Sequence, residues 1–246
     1  MARERPADES PPVHKTLATH HRTNWTQVLP ILFSRTILFT ILAAFSIYWA
    51  TALALSWTPV YLATVLHLTL ASPLYIAGVS LPWIVQGLAL FLCGALADRA
   101  FRRTGRARTS RVIPAGALLI LGAIFLFLAV TIPSTLGAVP FFILAATAWA
   151  AIPLLAAIVL DVTPEAHRGI FEGAIVTLAT LPGFLAPFVT GLLVQAAGND
   201  ASQGLHHAYV LAAVLLLVCG VLFTIVVRPD EAIRTLKTLG SAPERA

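Results

Sequence analysis

The chain has 246 residues, of which 58% are hydrophobic and 11% charged. Soluble domains carry roughly 25% charged residues, so this composition excludes a soluble protein with a large core and specifies an integral membrane protein. The net charge of +5 reports on membrane topology through where the basic residues sit, and nucleic-acid binding is not expected.

Residues 1–24 are polar and charged and hold no apolar stretch of the kind a secretory signal needs. Residues 1–30 read as a flexible cytoplasmic tail. The interval Thr36–Leu66 then carries no formal charge. About 20 residues at 1.5 Å rise cross the hydrocarbon, so span 1 is long enough to tilt or break. Pro59 removes a backbone donor and predicts a kink near its far end. Trp57 and Tyr61 beside it suit a membrane–water interface. Arg35, at the start of the span, snorkels to the cytoplasmic surface or binds an anion at a cavity mouth.

His67–Ser72 predicts a short turn and Pro73–Ala97 span 2. Residues 99–111 then form an arginine-rich loop. Val112–Thr131 predicts span 3, and Pro133-Ser134 the next turn. The uncharged run to Leu160 predicts span 4, with Pro140 and Pro153 as kinks. Asp161–Glu172 is a second polar junction. Gly173–Gln195 predicts span 5, interrupted at Pro182-Gly183 and Pro187. Gly198–His207 reads as a polar turn, Ala208–Val227 as span 6, and residues 229–246 as a cytoplasmic tail.

Charge distribution fixes the expected orientation. Of the 16 Lys and Arg residues, five lie at or before Arg35 and six in 99–111; one is Arg168 and four lie from Arg228 onward. With six spans these four places share one side, and the loops on the other side hold none. Basic loops stay cytoplasmic, so both termini are expected in the cytoplasm and the protein in a cell membrane as a multi-pass protein. The expected fold class is all-α, with a six-helix transmembrane domain over residues 31–228.

The junction between spans 2 and 3 carries the most specific pattern. Gly94 allows close helix approach. Asp98 stands at the predicted helix end, where the dipole disfavours a carboxylate, so it needs a partner. Candidates are the start of span 5 near Arg168 and Gly169, or arginines of its own loop. A plain topogenic loop is the competing explanation.

Gly94-Ala-Leu-Ala-Asp98-Arg99, followed by Arg102, Arg103, Gly105 and Arg106, resembles the G-x-L-a-D-R-x-G-R-R signature of the major facilitator superfamily. Two residues intervene before the basic pair and the glycine follows it, a variant similar to the copy in the C-terminal half. Trp57-Thr-Pro59-Val-Tyr61-Leu62 resembles the W-x-P-x-Y-L end of the seventh helix in the anion:cation symporter branch. Asp161, Pro164, Arg168-Gly169, Leu181-Pro182-Gly183, Pro187 and Gly191 are similar to the junction and eleventh helix of that branch.

The resemblance implies one six-helix half of a two-half secondary transporter, built of inverted three-helix repeats with the substrate site between the halves. It implies alternating access for a small organic anion with protons or sodium across an inner membrane. The partners would be the lipid bilayer and either an N-terminal half or a second copy. The chain could equally be a truncated or split copy. It implies that the first and fourth spans line the cavity, which points to Ser46, Tyr48, Trp49 and Thr51, and to Thr147 and Trp149. Gln86, midway along span 2, is a further polar candidate. Helix packing or lipid contact competes for each of these.

A cytoplasmic charge network is expected from Gly94, Asp98, Arg99, Arg102 and Arg103 on one side and Asp161, Glu165 and Arg168 on the other. Glu172 is either a proton-coupling carboxylate or a structural partner of Arg168 or the arginine-rich loop. Cys93 and Cys219, the two cysteines, read as packing residues. His206 and His207 read as loop residues. No nucleotide, metalloprotease, hydrolase or C-x-x-C motif is present, so no enzyme activity, metal or cofactor is expected. The alternative function is a six-span membrane subunit that does not transport, or an inactive gene remnant.

Overall fold

The computed structural model describes residues 31–230; the predicted tail 1–30 and residues 231–246 lie outside them. Among the described residues the fold is all-helical, with six helices long and apolar enough to cross a membrane. Span 1 is α1 (Arg35–Ser56) with α2 (Thr58–Thr64), and span 2 is α3 (Pro73–Thr104). Span 3 is a π-helical turn (Arg108–Val112) running into α4 (Ile113–Thr131). Span 4 is α5 (Thr135–Ala145), a 3-10 stretch (Ala146–Ala151) and α6 (Ile152–Val162). After a 3-10 turn (Glu165–His167), span 5 is α7 (Arg168–Thr180) with α8 (Pro182–Ala196), and span 6 is α9 (Ala201–Val226).

Side-chain caps set several starts. Ser34 Oγ accepts the Ile37 N–H and Ser72 Oγ the Tyr75 N–H, each satisfying an orphan donor of a first turn. Pro59, Pro153 and Pro182 sit in the first turns of α2, α6 and α8, where a missing N–H is harmless. These prolines mark restarts after breaks at Trp57, the 3-10 stretch and Leu181. Pro140 and Pro187 stay inside α5 and α8.

Three expected boundaries are corrected. The stretch 99–111 is mostly helical: α3 carries Arg99, Arg102 and Arg103 and ends only at Gly105, which has φ +64°. Basic side chains in a last turn complement the helix dipole, so arginines extend this helix. Asp98 therefore stands about a turn and a half before the helix end. Span 6 begins at Ala201, because Asp200 accepts the N–H groups of Ser202 and Gln203 at 2.9 and 3.3 Å. That cap draws His206 and His207 into the helix. Span 5 likewise starts earlier, at Arg168.

Lipid tails are as apolar as leucine, so these helices associate by close packing of small residues. The crossing of α4 and α9, one of the most extensive contacts in the bundle, shows this. A Cβ added at Gly116 would collide with the Thr224 hydroxyl, and one at Gly220 would lie 2.9 Å from Leu119 Cβ. Packing of α1 against α9 and α8 completes the centre, around Ile47, Leu53, Tyr209 and Leu216. A smaller cluster of Ile37, Ile41, Val159, Val162, Phe171 and Ile175 fills the end where the arginines lie. Span 2 stays outside: only 6% of its most apolar stretch is buried, against 50% for span 1.

Candidate functional site

A cleft of about 680 Å³, counted to its open mouth, lies between α1–α2, α3 and the α5–3-10 segment, floored by α4 and α9. Thr51 lies about 24 Å along the axis from Arg35 at 1.5 Å per residue, which sets the cleft from mid-depth toward the end poor in arginine. Among the described residues, no Asp, Glu, Lys, Arg or His lines it.

The 3-10 stretch interrupts span 4 beside the cleft and carries Trp149. A mid-helix 3-10 segment has poorer hydrogen-bond geometry than the helices it joins and needs outside support. Trp149 supplies it: its indole N–H donates to the Thr51 hydroxyl, and its ring meets Tyr48 edge-on at 5.3 Å. The Thr51 hydroxyl in turn donates to the Ile47 carbonyl at 2.8 Å. Deeper in the wall, the hydroxyls of Thr58 and Tyr209 share a 2.6 Å hydrogen bond. Tyr61, Phe142 and Tyr209 pack mutually edge-to-face at 5.2–5.4 Å, tying α2, α5 and α9 together behind the cleft.

Of the seven cavity candidates, Thr51, Gln86 and Trp149 line the cleft. Tyr48 stands behind Trp149. Ser46 is fully buried with its hydroxyl donating to Ala43 O at 2.8 Å, and Trp49 is buried against Phe45. Thr147 donates to Leu144 O at 2.7 Å, within its own span. Three polar lining residues, Thr58, Trp83 and Tyr209, escaped the sequence reading. Trp83 looked like any lipid-facing tryptophan, and Tyr209 fell in the stretch just past the expected turn.

At the arginine-rich end the charges are arranged differently from the expected network. Arg111, 10% exposed, forms an ion pair with Asp161 and donates to Ala157 O at 3.0 Å. Its guanidinium lies 4.4 Å from the centre of the Phe101 ring. This one side chain joins spans 2, 3 and 4. Asp230 accepts the backbone N–H groups of Ala107 and Arg108 at 2.9 and 3.3 Å, a carboxylate at the start of span 3 where the dipole favours it. Arg168 and Glu165 make a loose exposed pair at 3.8 Å.

Asp98, Arg99, Arg102 and Arg103 are exposed, and among the described residues they form no ion pair. Gly94 also has open space around it: a Cβ there meets nothing within 4 Å. The close approach expected at Gly94 occurs at Gly116 and Gly220 instead. Glu172 does not pair with Arg168; its Oε1 is buried without a hydrogen-bond partner. The sequence named Asp161 but not its partner, because Arg111 lies 50 residues away.

The six apolar spans agree with the comparison to known proteins. The Major Facilitator Superfamily profile matches residues 2–187, three quarters of the chain. The chain belongs to the major facilitator superfamily. Its fold is similar to that of a bacterial homolog of the human lysosomal transporter Spinster, in an inward-facing and unoccupied conformation. The TM-score is 0.65, with 16% identity over 93% of this chain and 55% of that one. A Hexuronate transporter of Bacillus subtilis (strain 168) is 26% identical over 214 residues, covering 82% of this chain and 47% of that protein. This major facilitator chain thus spans about half the length of the relatives it matches, and its membership is in a family of transporters, not enzymes.

Proposed function

We propose that this chain forms one six-helix wall of a secondary transporter for a small organic anion, moved by alternating access with protons or sodium. A second six-helix unit faces the cleft and completes the path. The observation that carries this reading is the cleft itself: an open, uncharged, partly polar hollow at mid-membrane depth, beside a span whose helix is broken there. Irregular backbone at that depth is tolerated where it is covered by protein or lines a cavity. The hexuronate transporter among the relatives is named for a carboxylated sugar, which supports an organic anion as cargo.

The protein sits in the inner membrane with both termini in the cytoplasm, supported by the one-sided placement of Lys and Arg. The charged end stabilises one conformation of the cycle. Arg111–Asp161 holds it within this chain, Arg168 and Glu165 add only an exposed local pair, and Gly94, Asp98, Arg99, Arg102 and Arg103 face outward toward the second unit.

Reconstitution decides the matter. Proteoliposomes containing the purified chain, alone and with a co-expressed second six-span unit, are given labelled hexuronate under a proton or sodium gradient. Gradient-dependent uptake in either preparation supports the transporter. Hexuronate binding without uptake in both preparations favours a six-span subunit that does not transport.

A further inference from the structure

Six polar side chains reach the cleft: Thr51, Thr58, Trp83, Gln86, Trp149 and Tyr209. Four are committed to each other. Trp149 donates to Thr51, which donates to the Ile47 carbonyl, and Thr58 and Tyr209 are hydrogen-bonded together. Trp83 and Gln86 differ: among the described residues neither forms a hydrogen bond. They lie three residues apart on α3 and so share a face.

Backbone chemistry adds to this face. Pro82 has no N–H, so the Gly78 carbonyl loses the donor that an ordinary helical residue would give it. Gly78, Pro82, Trp83 and Gln86 all belong to the cleft wall. The polar capacity left open here is therefore on span 2, not on spans 1 and 4.

An uncommitted amide within a membrane span is costly unless something polar meets it. A carboxamide presents a donor and an acceptor side by side, the pattern that adjacent hydroxyl groups complement. An indole offers an apolar face to C–H groups and one N–H donor. With no charged side chain on the wall, nothing here compensates a carboxylate.

We propose that Trp83 and Gln86 are the specificity-determining pair of this wall and read the uncharged, hydroxyl-bearing face of a small polyhydroxylated ligand. The ligand's carboxylate is held outside this cleft. The inference rests on the cleft being a substrate wall, and its test separates the two.

Binding of D-glucuronate, D-glucose and cyclohexanecarboxylate to the purified full chain is measured by titration calorimetry. The proteins are wild type, Gln86→Leu, Gln86→Glu and Trp83→Phe, each checked for helix content by circular dichroism. Gln86→Leu weakens glucuronate and glucose binding at least tenfold. Gln86→Glu, nearly the same shape, also weakens both, and Trp83→Phe weakens them several-fold. Cyclohexanecarboxylate, which has no hydroxyl, is bound more weakly and equally by all four.

Wild type that binds glucuronate while both Gln86 variants bind it within twofold overturns the assignment and leaves the substrate wall standing. Equal losses for cyclohexanecarboxylate and glucuronate would place the carboxylate on Gln86 and overturn it as well. Wild type that binds none of the three, either alone or with the co-expressed second six-span unit, overturns the substrate wall, and the assignment with it.

Discussion

The Trp149 indole N–H donates to the Thr51 hydroxyl across 98 residues of sequence, fastening the broken part of span 4 to the middle of span 1. The 3-10 stretch has weak internal hydrogen bonding, so this contact holds its geometry more than an equivalent contact on a regular helix would.

A double-mutant cycle measures it. Thr51→Val keeps the side-chain shape and removes the acceptor at a cost of about 1 kcal/mol. Trp149→Phe keeps an aromatic ring, removes the donor and costs more, because packed volume is lost as well, and the cycle cancels that extra term. The coupling energy is about 1 kcal/mol, within the range for residues in direct contact. Unfolding of the four proteins in mixed detergent micelles gives these numbers. Strict additivity would mean that the hydrogen bond contributes nothing to holding span 4.

Arg111 and Asp161 form the second long-range link. Both are largely buried, with side-chain exposures of 10% and 22%. Removing one partner of such a pair leaves a charge without compensation. Arg111→Ala therefore costs about 3 kcal/mol, the low end of the range for broken buried pairs because Asp161 still reaches water. Replacing both with apolar residues, Arg111→Met with Asp161→Leu, recovers most of that loss. Midpoints of detergent unfolding check both outcomes; a double variant as unstable as the single one contradicts the pair as the cause.

How much of this was legible in the sequence differs by element. The six spans were, because a helix in hydrocarbon needs a long uncharged run and this chain has six of them. Gln86 could be named as a polar group at depth, and Thr51 and Trp149 through the family resemblance. Their partners could not, since nothing local links position 51 to position 149. The end of α3 was missed because arginines read as loop, whereas at a helix C-terminus they are favourable. The start of α9 was missed because His206 and His207 look polar, while one capping aspartate six residues earlier decides the matter.

Topology offers an independent check. In a background lacking Cys93 and Cys219, the exposed positions Thr109 and Ser202 are replaced singly by cysteine and treated with a membrane-impermeant thiol reagent. Ser202→Cys reacts in intact cells, and Thr109→Cys reacts only after the membrane is opened. The reverse pattern would invert the protein and remove the basis for a cytoplasmic charge network.

The most direct measurement asks whether substrate enters the cleft. Val79→Cys places a thiol on the cleft wall, and Ser202→Cys places one outside it, in the same cysteine-free background. Hexuronate slows modification of Val79→Cys several-fold in a saturable way and leaves Ser202→Cys unchanged. Equal labelling rates at Val79→Cys with and without hexuronate, in protein shown to bind it, would contradict the cleft as the substrate's path.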